Sequence, residues 1–339
     1  MKRRRLVQLV CIMFLLFTAI FSYRLWNSRQ HLTREVELHL GTVCEIQIVG
    51  HRARAHALIA DCFSLVEMYE QKLSIYRNDS EIAALNAAKA GVPVAISAET
   101  YTMLKASEHF SKLSDGLFDI TLYPVLALWG FYDSRAGTFD ARELAAARAL
   151  VNYRFVTFRK KRDTYIAEKR YDGVKVDLGG IAKGYIADRV AGLLRQNSVR
   201  NFLVNIGGNI YADGRYIHGN GWRVGVRDPR NETGLMSSLV LHNTAVSTSG
   251  DYERFIIKNG VKYGHIINPK TGNPVLGVAA VTVVADDAMT ADAASTILFL
   301  SEKRKRNTYF DRLGLRYALF VDYKDETYTV TELGAVPQG

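Results

Sequence analysis

The sequence predicts an α+β fold, in which helices pack on antiparallel sheets rather than winding around a parallel one. Three observations lead there. Short β-rich runs separated by turn residues fill the second half of the chain, amphipathic helical stretches are segregated among them, and no Pro/Ser-rich linker divides the 339 residues. We read one domain over 36–335, preceded by a separate N-terminal segment at 1–30.

In chain order, "MKRRR" is followed by the uncharged run 6–23, "LVQLVCIMFLLFTAIFSY". This reads as a secretory signal peptide or an uncleaved signal-anchor, with the basic end kept in the cytoplasm and the body on the far side of the cytoplasmic membrane. Its length is marginal for a span, yet no A-x-A cleavage site precedes the polar chain, which favours the anchor. Cys11 sits too early for a lipoprotein cysteine. From Leu38 to Ile48 apolar residues take alternate positions, which predicts one half-buried strand. Leu58, Cys62, Leu65, Val66, Tyr69 and Leu73 then recur at three and four, as do Leu104, Phe110 and Leu113 between Ser97 and Gly116, and both sets predict helices. Strands follow at "FLVNI", "WRVGV" and "SSLVLHN", then a hairpin with Asn259-Gly260 at its tip, then "VAAVTVVA". A helix is expected over 288–302, with the basic run "SEKRKRN" (301–307) as its solvated end, where cations favour the C-terminal dipole. "RYALFVDYKDETYTVTEL" closes the chain as a second hairpin.

A hydrophobic content of 48% with 23% charged residues is that of a folded protein with a sizeable core. The formal charge of +10 suggests a nucleic-acid partner, but Lys2, Arg3, Arg4, Arg5 and Arg24 supply half of it. The remainder is spread too thinly for a phosphate-binding stripe, so no nucleic acid is expected. Beyond the leader only Cys44 and Cys62 remain, as core residues or a single pair, which excludes a disulfide scaffold. Eight scattered histidines give no zinc spacing, and no Ser/His/Asp order is present.

Four stretches can carry chemistry. In "VDLGGIAKGYIADRV" (176–190) a strand end passes through Gly179-Gly180 into a helix, with Asp177 and Lys183 on either side of the turn. Glycines at a helix start let an anionic ligand approach backbone N–H groups, although the same residues suit a purely structural turn. In "NIGGNIYADG" (205–214) the glycine pair is a bulge or a ligand wall. In "MTADAASTILF" (289–299) Asp292 and Thr296 lie four apart on one helical face. They are either two hard oxygen donors of a sparse site suited to magnesium, or a first-turn charge and a hydroxyl bonded back to the helix. In "YGHIINPKTGNPV" (263–275) His265 ends an apolar run before a turn stiffened by Pro269 and Pro274; alone, such a histidine is a structural residue as readily as a base.

Together, "VDLGGIAKGYIAD", "VNIGGN", "WRVGVRDP", "AVSTSGDYERF", "HIINPKTGNPV" and "ADAAST", in this order, closely resemble the FAD:protein FMN transferase family, often called ApbE. So do "LSIYRNDSEIAALN" (73–86) and "GLFDITLYPVLALWGF" (116–131), and the resemblance runs from about Leu40 to Phe320. It implies a tunnelling-fold-like α+β architecture and an exported bacterial enzyme. Such an enzyme uses Mg2+ to cleave FAD, its substrate, moves FMN onto a threonine hydroxyl of a target protein, and releases AMP. It further implies His265 as the catalytic residue, and Asp292 and Thr296 as metal ligands, with backbone oxygens of Gly180 and Ser295. Leu40, Tyr76, Leu117, Phe118, Asp119, Asp177, Lys183 and Ile267 would contact FAD. Leu40 replaces a common methionine and Ser295 a common alanine; the second change is harmless if only the carbonyl binds metal. The expected acceptors are exported subunits of membrane redox complexes, met on the periplasmic or extracellular side. Two rivals share these residues: a pyrophosphatase that gives FMN and AMP, and a membrane-anchored flavin-binding protein without catalysis.

Overall fold

The run Val278–Ala285 is buried at every position, so its sheet must be covered on both faces. In the computed structural model, which describes residues 13, 15–18, 31–132, 139–217, 219–231, 233–258, 260–324 and 327–338, this strand lies inside an eight-stranded sheet. The strand order is His31–His39, Thr42–Gly50, Phe202–Ile206, Asn209–Asp213, Thr244–Gly250, Val278–Ala285, Tyr317–Lys324 and Thr327–Gly334. Every neighbouring pair is antiparallel, so the predicted fold class holds.

Alternation along the strands feeds two cores. Val281, Val283, Ile46, Val204 and Phe320 join the larger one, under the helices Arg52–Leu73, Ala182–Gln196 and Ala288–Leu300. Ala280, Val284, Leu319 and Val321 meet Trp222, Leu239 and Leu241 of the Trp222–Arg227/Leu235–Leu241 hairpin. The predicted helical face Leu58, Cys62, Val66, Tyr69 and Leu73 is buried, and Ser97 caps the Ala98–Leu113 helix by accepting from Thr100 N. Cys44 and Cys62 are free, buried thiols. Burial pushes them up to about 11 and about 12, which suits core packing rather than reactivity.

Several expectations are corrected. The single strand over 38–48 is a hairpin: His39 pairs with Thr42, and Leu40 and Gly41 turn with φ of 55° and 68°. The expected glycine or asparagine is missing from the first turn position, so a leucine adopts the left-handed conformation. Gly207-Gly208 is not a bulge but the two-residue turn between Ile206 and Asn209. The segment before Gly179 is not a strand; the Asn86 side chain donates to Val176 O at 2.8 Å and accepts from Val176 N at 2.6 Å, in place of a ladder. The basic run after 300 is not wholly solvated. Arg306 is buried in a two-pronged pair with Asp322, at 2.7 and 2.8 Å, and Lys303 joins it at 3.0 Å. The leader read over 6–23 lies mostly outside the described residues, as do Cys11 and Asn259 at the expected hairpin tip. Among the described residues no helix is long and apolar enough to cross a membrane.

Candidate active site

Two helices meet at a glycine to form the floor of the site. A Cβ on Gly184 would overlap the Ala288 carbonyl oxygen and stand 2.8 Å from Asp292 Cβ, so only glycine permits this approach of Ala182–Gln196 to Ala288–Leu300. The contact is tied twice. Gly184 N donates to Asp292 Oδ2 at 2.9 Å, and the Asp188 carboxylate accepts from Ala288 N at 2.8 Å and Met289 N at 2.9 Å. Burial raises the Asp188 pKa to about 7.

Asp292 is not the first-turn charge that the residue pattern allowed. Asp287 caps this helix by accepting from Thr290 N, and Asp292 stands a turn further in, 6% exposed. Burial raises its pKa, while Lys183 and the Gly184 N–H pull the other way. Nor, among the described residues, does Thr296 bond back to its own helix. Its hydroxyl lies 3.3 Å from Ser249 Oγ, which lies 2.8 Å from Ser295 Oγ. Gly180 closes the group: a Cβ there would sit 4.0 Å from Thr296 Oγ1 and 3.3 Å from the Phe118 ring. Asp292, Thr296, Ser295 and Gly180 are therefore brought together. Among the described residues no three His, Cys, Asp or Glu side chains cluster as a metal site, so any metal here relies on one carboxylate, one hydroxyl and carbonyl oxygens. Those are hard donors, and they fit magnesium in kind.

Lys183 and Asp177 flank this floor as expected. Lys183 Nζ donates to Gly179 O at 2.8 Å, and Asp177 accepts from Gly179 N at 2.8 Å and from the Tyr132 hydroxyl. Tyr132 stacks on Tyr123 with centroids 4.4 Å apart and meets Tyr76 edge-on at 6.3 Å. Tyr76 is exposed, and its hydroxyl accepts from Arg254 at 3.3 Å.

His265 follows the Val261–Gly264 strand. The imidazole is held by Arg254, whose carbonyl accepts from His265 N at 3.0 Å and lies 3.3 Å from Nδ1, and it meets the Phe131 ring edge-on with centroids 6.4 Å apart. The turn that follows is anchored through Trp129 Nε1 donating to Gly272 O at 2.8 Å. Burial, then the Arg254 cation and least of all Lys183, lower the His265 pKa to about 4 against the opposing bond to the Arg254 carbonyl. The ring is thus neutral at pH 7 and able to accept a proton.

The remaining expected residues stand behind this surface. Leu117, Phe118 and Ile267 are buried in apolar clusters. Asp119 spends both carboxylate oxygens on Thr121 and Tyr153 N–H groups at 2.8 Å, and Leu40 packs partly buried on the main core. Sequence reasoning missed Ser249, Arg254, Gly184, Asp188 and Tyr132. The first two lie inside the quoted "STSGDYERF", but nothing in that stretch alone says what they face.

Residues 40–319 match the model of the ApbE family. A FAD:protein FMN transferase of Treponema pallidum is 35% identical over 280 residues, 78% of this chain and 77% of that protein. One from Haemophilus influenzae is 34% identical over 74% of each chain. Two solved structures superpose well. The flavin transferase ApbE from Vibrio cholerae has a TM-score of 0.80 at 29% identity, over 89% of this chain and 97% of that one. The ApbE protein from Thermotoga maritima has a TM-score of 0.81 at 32% identity, over 89% and 96%.

Proposed function

The chain belongs to the ApbE family, and from that premise we propose how this flavin transferase, which moves FMN from FAD to protein, divides the work among its residues. The observation that carries the reading is the convergence of Asp292, Thr296 and Gly180 beside the Gly179-Gly180 turn that Lys183 bonds, with His265 close enough to Lys183 to feel its charge.

Lys183 and the turn Gly179-Gly180 bind the FAD diphosphate, and Tyr76 with Tyr132 offers aromatic surface to the flavin. Asp292, Thr296 and the carbonyls of Gly180 and Ser295 would hold magnesium, which would neutralise diphosphate charge there. His265 takes the proton from a threonine hydroxyl of the acceptor. The threonine oxygen forms a bond to the FMN phosphorus, the bond from that phosphorus to the bridging oxygen breaks, and AMP leaves carrying that oxygen. The preset charges of Lys183 and the buried Asp292 need little reorganisation during the step.

The acceptors are exported subunits of membrane redox complexes, met outside the cytoplasm, and the N-terminal basic-apolar segment anchors the enzyme to the cytoplasmic membrane. The test is incubation with FAD, magnesium and a candidate redox subunit, followed by intact-mass measurement of that subunit. A gain of one FMN phosphoester that maps to a threonine and vanishes with a chelator supports the reading; FMN and AMP release with no mass gain on any tested subunit contradicts it.

A further inference from the structure

The hairpin of Phe255–Lys258 and Val261–Gly264 is apolar on both faces. Its register puts Ile256 with Tyr263, and Lys258 with Val261, on one face; Phe255 with Gly264, and Ile257 with Lys262, lie on the other. The first face is packed toward the active site, while Val261 at the far end is 43% exposed. Ile256 and Tyr263 join the cluster around Val125, Trp129 and Ile267, and Lys258 Nζ lies 4.5 Å over the Phe139 ring. The second face is open, with Phe255 47% and Ile257 69% exposed and Lys262 Nζ 4.3 Å over the Phe255 ring. A hairpin with one buried face ordinarily turns polar residues outward.

Scattered exposed apolar residues need no explanation, but the position of these two does. Gly264, the partner of Phe255, is joined to His265, and Arg254, which precedes Phe255, holds His265 through its carbonyl and Tyr76 through its guanidinium. The open face therefore starts at the residues bonded to Arg254 and His265, next to the active site. A protein cannot bring a hydroxyl to His265 without covering the surface beside it, and on the inner side of the hairpin that surface is already filled, with Ile267 and Trp129 at 1% and 6% exposure. Among the described residues the hairpin is a sheet of two strands only, so its outer edges can accept a further strand.

We infer that this face is the docking surface for the acceptor protein. An extended segment flanking the acceptor threonine lies along the hairpin and sets apolar side chains on Phe255 and Ile257. Lys262 on the same face, and Arg254 at the adjoining Tyr76, repel a basic segment, so the matching one is neutral or acidic. This rests on the transferase reading, and the experiment separates the two.

The double variant Phe255→Ser with Ile257→Ser alters only exposed side chains, and Ile257→Arg is the independent second variant. The probe is the recombinant soluble domain of a redox subunit that the wild-type enzyme flavinylates. Both variants should bind FAD within about twofold of wild type, while the KM for the acceptor domain rises about 10-fold or more and kcat at saturation stays within about threefold, the scale of losing a small apolar hot spot. An unchanged KM overturns the inference. So does a loss of self-association, or of binding to anionic phospholipid vesicles, at unchanged KM, which would give the face to a second copy or to a membrane. If the wild-type enzyme flavinylates no such domain, the transferase reading itself fails and the docking surface goes with it.

Discussion

Asp292 stands in the second turn of a helix pressed against both a sheet and a second helix, 6% exposed, whereas His265 follows a four-residue strand of a two-stranded hairpin with an open apolar face. The helix side is locked by a glycine contact and three backbone bonds to carboxylates. On the hairpin side His265 itself has fewer ties, the Arg254 carbonyl and the edge of the Phe131 ring, although the inner face of the hairpin is packed. The difference matches two tasks. Charges that must meet the same diphosphate in every cycle gain from a fixed, water-poor setting, while the side that meets proteins of differing surface must stay accessible and can afford lower local stability.

The helix side can be broken most completely at Asp292. Asp292→Ala should abolish magnesium-dependent cleavage of FAD. Because the carboxylate is buried, with burial disfavouring its charge, and it accepts a hydrogen bond from Gly184 N, thermal stability should change by only about 1 kcal/mol, near the net value of one hydrogen bond. Cleavage at the wild-type rate with magnesium would remove Asp292 from the site. Gly184→Ala tests the lock itself. A methyl driven into the Ala288 carbonyl should destabilise the protein by about 3 kcal/mol, the upper end of overpacking, and weaken the magnesium dependence of whatever folds; a denaturant curve like that of wild type would mean the two helices separate freely.

The recurring spacings were readable before any coordinates. Gly179-Gly180 before a helix, Asp292 and Thr296 on one face, and a histidine ending an apolar run all lie within local sequence distance, where helix and strand periods act. Long-range side-chain substitutions for backbone were not readable. Asn86 replaces a strand partner for Val176 across 90 positions, and the Arg254 carbonyl, which every residue but none in particular could supply, orients His265. Leu40 hid a turn because leucine is rarely left-handed, and Arg306 hid a buried ion pair inside a run of exposed cations.

Smaller effects sharpen the contrast. Ser249→Ala removes the hydroxyl that meets both Ser295 and Thr296 and should raise the magnesium concentration for half-maximal cleavage several-fold, on the scale of about 1 kcal/mol for a buried hydrogen bond, with FAD binding intact; an unchanged magnesium curve would show that Thr296 needs no such support. The pH dependence should be slight where an ordinary histidine titrates. With its pKa lowered to about 4, the His265 ring stays neutral as pH falls through about 6.5, the unperturbed value, and charges only near 4. An NMR titration of the ring in the FAD-free protein should place the midpoint there; a midpoint near 6.5 would mean that burial and the Arg254 and Lys183 cations do not act on it as described.

The division of labour between the two sides is tested most directly by measuring FAD binding and FMN transfer on the same purified His265→Ala protein. The diphosphate side is untouched in this variant, so FAD should bind as in the wild type while transfer at saturating FAD falls by roughly 100-fold or more, the scale of a lost general base. Transfer at a near-normal rate, or loss of FAD affinity with the rate per bound FAD unchanged, would contradict the assignment of His265 to the acceptor side.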